Sequence, residues 1–93
     1  MNSYELAEKH EDKSYRFNNI KNPISTRKDL HAFMLLDKIF PGSNDIISCA
    51  EHDQIWLGIT PEQILQLTED QIIELTRCGI IFDKDFESLS MFV

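Results

Sequence analysis

The chain contains few of the residues on which several specialised small folds depend. Among its 93 residues are two cysteines, three glycines and three prolines. Cys49 and Cys78 are too few and too widely spaced for the disulfide framework of a small secreted domain. We therefore expect each of them to be a small buried apolar residue. No glycine-rich phosphate-binding loop and no pair of Cys-x-x-Cys motifs is present.

Long apolar runs are also missing. The longest one extends from Ala32 to Leu36, far short of the roughly 20 residues that a membrane-spanning helix needs. The segment from Met1 to Glu5 has neither the basic nor the apolar region of a signal peptide. The apolar fraction of 42% is enough for one compact core. These features predict a single-domain cytoplasmic protein without membrane contact.

Positive charge is scarce in the second half of the chain. The formal net charge is −7, and residues 45–93 contain ten acidic residues against Arg77 and Lys84. The negative electrostatic field of these residues repels nucleic acids and anionic membranes, because a protein binds either of them through clustered Lys and Arg. It attracts a basic protein surface and accelerates the encounter with it. A surface that merely keeps the protein soluble has the same composition, so charge alone leaves both interpretations open.

The N-terminal residues show no sustained helical or strand period. We interpret residues 1–25 as a flexible arm and residues 26–93 as a single compact α+β domain. Thr26 and Asp29 resemble a capping box, which predicts a helix that ends at Phe40 before a Pro-Gly pair. The predicted core stripe of this helix consists of Leu30, Phe33, Met34, Leu36 and Phe40.

The rest of the chain alternates between strand and helix signals. Period-two patterns in residues 46–50 and 54–59 predict a first hairpin, and those in residues 80–82 and 86–93 predict a second. Between the hairpins, two Thr-x-x-Gln capping boxes predict two short helices, or one helix with a kink. The predicted fold is α+β: an antiparallel sheet of about four strands with three short helices on one face, in the order α-ββ-αα-ββ.

One group of residues has the types needed for metal binding or thiol chemistry. Cys49, His52 and Asp53 lie within five positions. In an extended strand, however, Cys49 and His52 face opposite sides, and no second Cys or His is near enough to complete a tetrahedral site. The alternation from Asp83 to Glu87 lacks the central glycine and the distant glutamate of a calcium loop. We therefore expect no metal, no cofactor and no enzymatic activity, and interpret residues 51–53 as a polar turn.

The strongest candidate site is a row of polar side chains on the two short helices. Spacing of four residues would place them about 6 Å apart along one face. DNA presents one phosphate every ~3.4 Å per strand, so such a row can imitate a phosphate track on a nucleic-acid-binding protein. A plain solvated helix face is the alternative. The candidate partner-binding residues are Glu62, Gln66, Glu69, Asp70 and Glu74, with Trp56 as an aromatic anchor.

A likeness to known proteins rests on three segments, residues 50–57, 77–80 and 85–93. These segments resemble a group of small phage and prophage proteins of unknown function, and the similarity extends over residues 26–93. It implies a phage accessory protein in a bacterial cytoplasm, and by size and charge such proteins resemble anti-CRISPR or anti-restriction inhibitors. The leading hypothesis is a phage-encoded inhibitor that binds the basic surface of a host defence complex. The alternative is a homo-oligomeric structural or regulatory phage component whose N-terminal arm swaps onto a neighbouring subunit.

Overall fold

The computed structural model describes residues 1–93 and confirms the α+β class. Four α-helices are present: α1 (Ser3–Lys9), α2 (Lys28–Ile39), α3 (Pro61–Leu65) and α4 (Glu69–Arg77). Two short 3-10 helices, Glu11–Lys13 and Phe17–Asn19, lie between α1 and α2. The strands are β1 (Ile47–Glu51), β2 (Gln54–Leu57), β3 (Ile81–Asp83) and β4 (Ser88–Phe92). None of the helices has the length and apolar character that a membrane crossing requires.

The two predicted hairpins form one antiparallel sheet with the strand order β1-β2-β4-β3. Pairing of β2 with β4 joins the hairpins and sets Ile55 opposite Met91 and Trp56 opposite Ser90. Successive strand residues point to opposite faces. Ile55, Met91 and Leu89 therefore share the inner face, where they are buried in one core cluster with apolar residues of the helices.

The predicted capping boxes of α3 and α4 are both confirmed. Thr60 Oγ1 accepts a hydrogen bond from the Gln63 amide at 3.1 Å, and Thr68 Oγ1 accepts one from the Gln71 amide at 3.2 Å. The Oε1 atom of each Gln in turn accepts a hydrogen bond of 2.9 Å from the amide of its threonine. The pattern therefore specifies two separate helices. Gly79 follows α4 with φ +92°, a left-handed conformation that glycine adopts without strain.

The predicted start of α2 is wrong, and its predicted buried face is confirmed only in part: Leu36 is buried and Phe33 and Phe40 pack against the core. The N-cap residue of α2 is Arg27, and its side chain makes no capping hydrogen bond. Thr26 therefore forms no capping box. Leu30 and Met34 are 44% and 42% exposed, whereas His31 is 1% exposed. His31 is stable on the inner face because both ring nitrogens make hydrogen bonds inside the protein.

The N-terminal segment also differs from the prediction, because residues 3–9 form a helix. Asn2 and Glu5 make a reciprocal capping box with two bonds of 2.9 Å. The buried Ser3 hydroxyl donates to the Ile64 carbonyl at 2.7 Å, and Ala7 is buried in the core. Tertiary packing stabilises this helix, since seven residues are too short to be helical alone. The flexibility predicted for residues 1–25 concerns motion and stays a prediction.

The two cysteines have different environments. Cys78 is buried as expected, but Cys49 is exposed. Cys49 lies in β1, which is an edge strand with all five of its residues exposed. The expectation for Cys49 is therefore wrong because the helices cover the other strands and leave this edge open.

Candidate functional site: the acidic surface

The acidic residues predicted to form one row belong to two helices. Gln66 is the C-cap of α3 and Thr68 is the N-cap of α4, so the chain changes direction between them. Four-residue spacing is therefore helical from Glu62 to Gln66 and again from Asp70 to Glu74, but not between the two pairs. The continuous track of negative charge expected from the sequence is interrupted.

Glu69 is engaged by the N-terminal segment. Its Oε2 atom lies 2.7 Å from His10 Nε2 and 3.9 Å from Lys9 Nζ. The hydrogen bond with His10 is the main reason that the pKa of Glu69 lies below its ordinary value, and the charge of Lys9 adds to the effect. Glu69 thus helps to join α4 to the end of α1, and part of its negative charge is compensated within the protein.

Glu74 is engaged by a buried histidine. The Ile24 amide donates to His31 Nδ1 at 3.0 Å, so Nδ1 is an acceptor and the ring hydrogen of the neutral tautomer is on Nε2. Nε2 donates to Glu74 Oε2 at 2.8 Å. The imidazole also meets Phe17 edge-on, with ring centroids 5.7 Å apart. His31 therefore connects three parts of the chain: the segment before α2, α2 itself and α4.

The remaining predicted site residues do not come together. Glu62 and Asp70 are exposed and make no side-chain hydrogen bond or salt bridge. Trp56 is half-buried and faces away from the helices, since its neighbour Ile55 is on the inner face. The structure thus separates Trp56 from the helical acidic residues by the thickness of the sheet.

Most of the acidic side chains of the protein are available at the surface. Six of the sixteen carboxylates accept a side-chain hydrogen bond or pair with a base, namely Glu5, Asp12, Asp29, Glu69, Glu74 and Asp83. The other ten are all exposed and make neither kind of contact. We call these ten the free carboxylates: Glu8, Glu11, Asp37, Asp45, Glu51, Asp53, Glu62, Asp70, Asp85 and Glu87.

No group of three or more His, Cys, Asp or Glu side chains is arranged to hold a metal ion. His52 is exposed in the turn between β1 and β2, with φ +54°. It makes no side-chain hydrogen bond with Cys49 or Asp53. The interpretation of residues 51–53 as a polar turn agrees with this geometry.

A groove lies between α1, the 3-10 helix Glu11–Lys13 and strand β3. It has a volume of about 440 Å³, and its polar lining includes Glu8, Glu11, Asp83 and Lys84, together with Tyr4 and Thr76. The sequence did not predict this groove because one wall is α1, and residues 1–25 were expected to form a flexible arm. The Asn-x-x-Glu pattern of residues 2–5 was the available signal for that helix.

Comparisons with protein-family models, with curated proteins and with solved structures find no match for this chain.

Proposed function

We propose that the protein is a non-enzymatic inhibitor, encoded by a phage, that binds the basic surface of a host defence complex in the bacterial cytoplasm. The observation that carries this proposal is the set of ten free carboxylates, all of them exposed. A protein that used its acidic residues mainly to stabilise itself would pair them with bases. Here the free carboxylates leave a negative surface available for a positively charged partner.

A defence complex of the CRISPR or restriction type provides the matching chemistry. Its nucleic-acid groove is lined with Lys and Arg, which normally neutralise phosphates. A small acidic protein that occupies this groove excludes the nucleic acid. Because exposed charges dominate the contact, its affinity should fall steeply with increasing salt.

The first test is charge reversal with a matched control. The variant Glu62→Lys/Asp70→Lys reverses two exposed carboxylates of the predicted row. The control Asp37→Lys/Asp53→Lys changes the net charge equally, but on α2 and in the first hairpin turn. Each tagged protein is added to purified defence effectors, and bound effector is measured at low and high salt.

Loss of binding in the first variant and retention in the control would support the helical face as the contact. Equal loss in both variants would show that only net charge matters, and equal retention would exclude this face.

The second test measures inhibition directly. The protein is expressed in bacterial strains that each carry one CRISPR or restriction system, and phage plaques are counted. We expect the protein to restore plaque formation in at least one strain, and we expect the Glu62→Lys/Asp70→Lys variant to lose this effect. Unchanged plaque counts in every strain would remove the inhibitory role.

One observation favours the second candidate, a homo-oligomeric phage component. Strand β1 is an exposed edge whose residues from Ile47 to Ala50 carry no charge, and uncharged edges are prone to pair with another strand. A bulge between Ile47 and Cys49 disrupts the ladder locally. Analytical ultracentrifugation of the wild-type protein and of Ala50→Lys tests this: an oligomer that the lysine dissociates supports it, and a wild-type monomer excludes it.

A further inference from the structure

We infer that the groove between α1 and β3 is a binding pocket for an arginine side chain of the protein partner. This inference rests on the proposed function, since it identifies which part of the acidic surface recognises a single basic residue. The groove has a volume of about 440 Å³, within the range of roughly 300–1,000 Å³ typical of ligand sites. It lies apart from the exposed row on α3 and α4.

The charge of the lining favours a cation. Glu8, Glu11 and Asp83 contribute three carboxylates, and Lys84 contributes the only ammonium group. Asp83 is held in place because its Oδ1 atom accepts hydrogen bonds from the amides of Asp85 and Phe86, at 3.0 and 3.2 Å. Its Oδ2 atom makes no hydrogen bond. An oriented carboxylate with one unused oxygen can accept a guanidinium N–H without losing conformational entropy.

Two hydroxyl groups of the lining also have no partner. Thr76 is 3% exposed, and neither its Oγ1 atom nor the Tyr4 hydroxyl makes a hydrogen bond. A buried hydroxyl without a partner is destabilising, so each such group calls for an explanation. Burial, followed by the negative charges of Glu87 and Asp83, raises the pKa of Tyr4, as expected where the local potential is negative. Hydroxyl oxygens can accept from a cation that donates in several directions.

The shape of the ligand follows from the distribution of these acceptors. Apolar residues of the lining, including Ala7, Ile80 and Phe82, suit the alkyl part of a long basic side chain. Carboxylates on two walls and unpaired hydroxyls in the lining are matched best by several donors at fixed angles. A guanidinium has five N–H donors in a planar fork and no acceptor, whereas an ammonium is a compact point charge. Arginine therefore fits the groove better than lysine.

The test uses the full-length protein and a blocked Gly-Arg-Gly peptide as the probe. Titration followed by ¹H–¹⁵N NMR should give saturable shifts at the amides of residues 7–11 and 80–84. The same peptide with citrulline, which is uncharged, should give none. The variant Glu8→Gln/Asp83→Asn should bind the arginine peptide on the order of tenfold more weakly, as expected from the loss of charge-assisted hydrogen bonds. Asparagine retains the Oδ1 acceptor that orders the β3–β4 turn.

The matched control is Asp45→Asn/Glu62→Gln, which removes the same charge from exposed positions outside the groove. It should retain the wild-type affinity, and the amide spectra should show that both variants are folded. Equal weakening in the two variants, or equal binding of the citrulline peptide, would overturn the inference. Binding of putrescine as tightly as the arginine peptide would also overturn it, by identifying the groove as a site for free polyamines.

This titration is independent of the proposed function. If the arginine peptide binds in the groove but no defence effector is captured, the proposed function fails and the pocket stands. If an effector is captured and the peptide does not bind, the pocket fails alone.

Discussion

Loss of the His31–Glu74 hydrogen bond should destabilise the whole fold. His31 is 1% exposed and makes two hydrogen bonds, to the Ile24 amide and to Glu74. The change to test is His31→Leu, which keeps a side chain of similar size and removes both hydrogen-bonding nitrogens. Unfolding should become easier because the Ile24 amide loses its acceptor and Glu74 loses its donor.

The expected magnitude follows from these two bonds. A hydrogen bond between uncharged groups contributes about 1 kcal/mol, and one to a charged group about 1.5–3 kcal/mol. The Glu74 side chain is 34% exposed, so water partly replaces its lost donor and the lower end of the second range applies. The free energy of unfolding should fall by about 2–3 kcal/mol, which corresponds to a decrease in Tm of roughly 10–20 °C for a domain of this size.

The assay is urea unfolding of a double-mutant cycle composed of wild type, His31→Leu, Glu74→Ala and the double variant. The cycle isolates the interaction between the two side chains, which we expect to be about 1–2 kcal/mol. A coupling energy below about 0.5 kcal/mol, close to the error of additivity, would refute this reasoning. Wild-type stability of His31→Leu would refute it as well.

Three further predictions concern single positions. Burial raises the pKa of the Cys78 thiol to about 12, so a thiol reagent should modify the exposed Cys49 rapidly and Cys78 only on unfolding; a fast reaction remaining in Cys49→Ser would contradict this. Gly79→Ala, at φ +92°, should lower the unfolding free energy by about 1–2 kcal/mol in urea titrations, and unchanged stability would argue against a left-handed residue there. The pKa of Glu69 is lowered mainly by the hydrogen bond with His10, so NMR titration should show this pKa rising towards its ordinary value in His10→Ala. Since the folded pKa is depressed, this pair contributes stability at neutral pH that is lost as the pH falls through the folded pKa, and Tm should depend less on pH in Glu69→Gln.

The parts of the fold that the sequence predicted correctly are specified by contacts between near neighbours. The capping boxes at Thr60 and Thr68 each join residues three positions apart, and the left-handed residue at Gly79 needs only its own backbone freedom. The alternation that places Ile55 and Leu57 on the buried face is similarly local. Such local signals can be recognised in the sequence without knowledge of how the helices and strands pack together.

The errors concern contacts between distant parts of the chain. Helix α1 is a single short segment with little periodicity, and its burial against α4 and β3 becomes visible only in three dimensions. The pairs His10–Glu69 and His31–Glu74 span 59 and 43 residues. No local pattern in the sequence indicates either pair, which explains why the predicted core stripe of α2 contained Leu30 and Met34 and not His31.

The two histidine pairs also decide which charge reversals can test partner binding. Changing Glu69 to lysine would place a second positive charge next to Lys9. Changing Glu74 to lysine would leave the buried His31 without its hydrogen-bond acceptor. A loss of binding in such a variant would then report unfolding rather than a lost contact. Glu62 and Asp70 have no internal partner, so reversing them alters the surface while leaving the core intact. The acidic residues of the predicted row thus fall into two groups: Glu69 and Glu74 help to hold α4 in place, whereas Glu62 and Asp70 present the charge that a basic partner would meet.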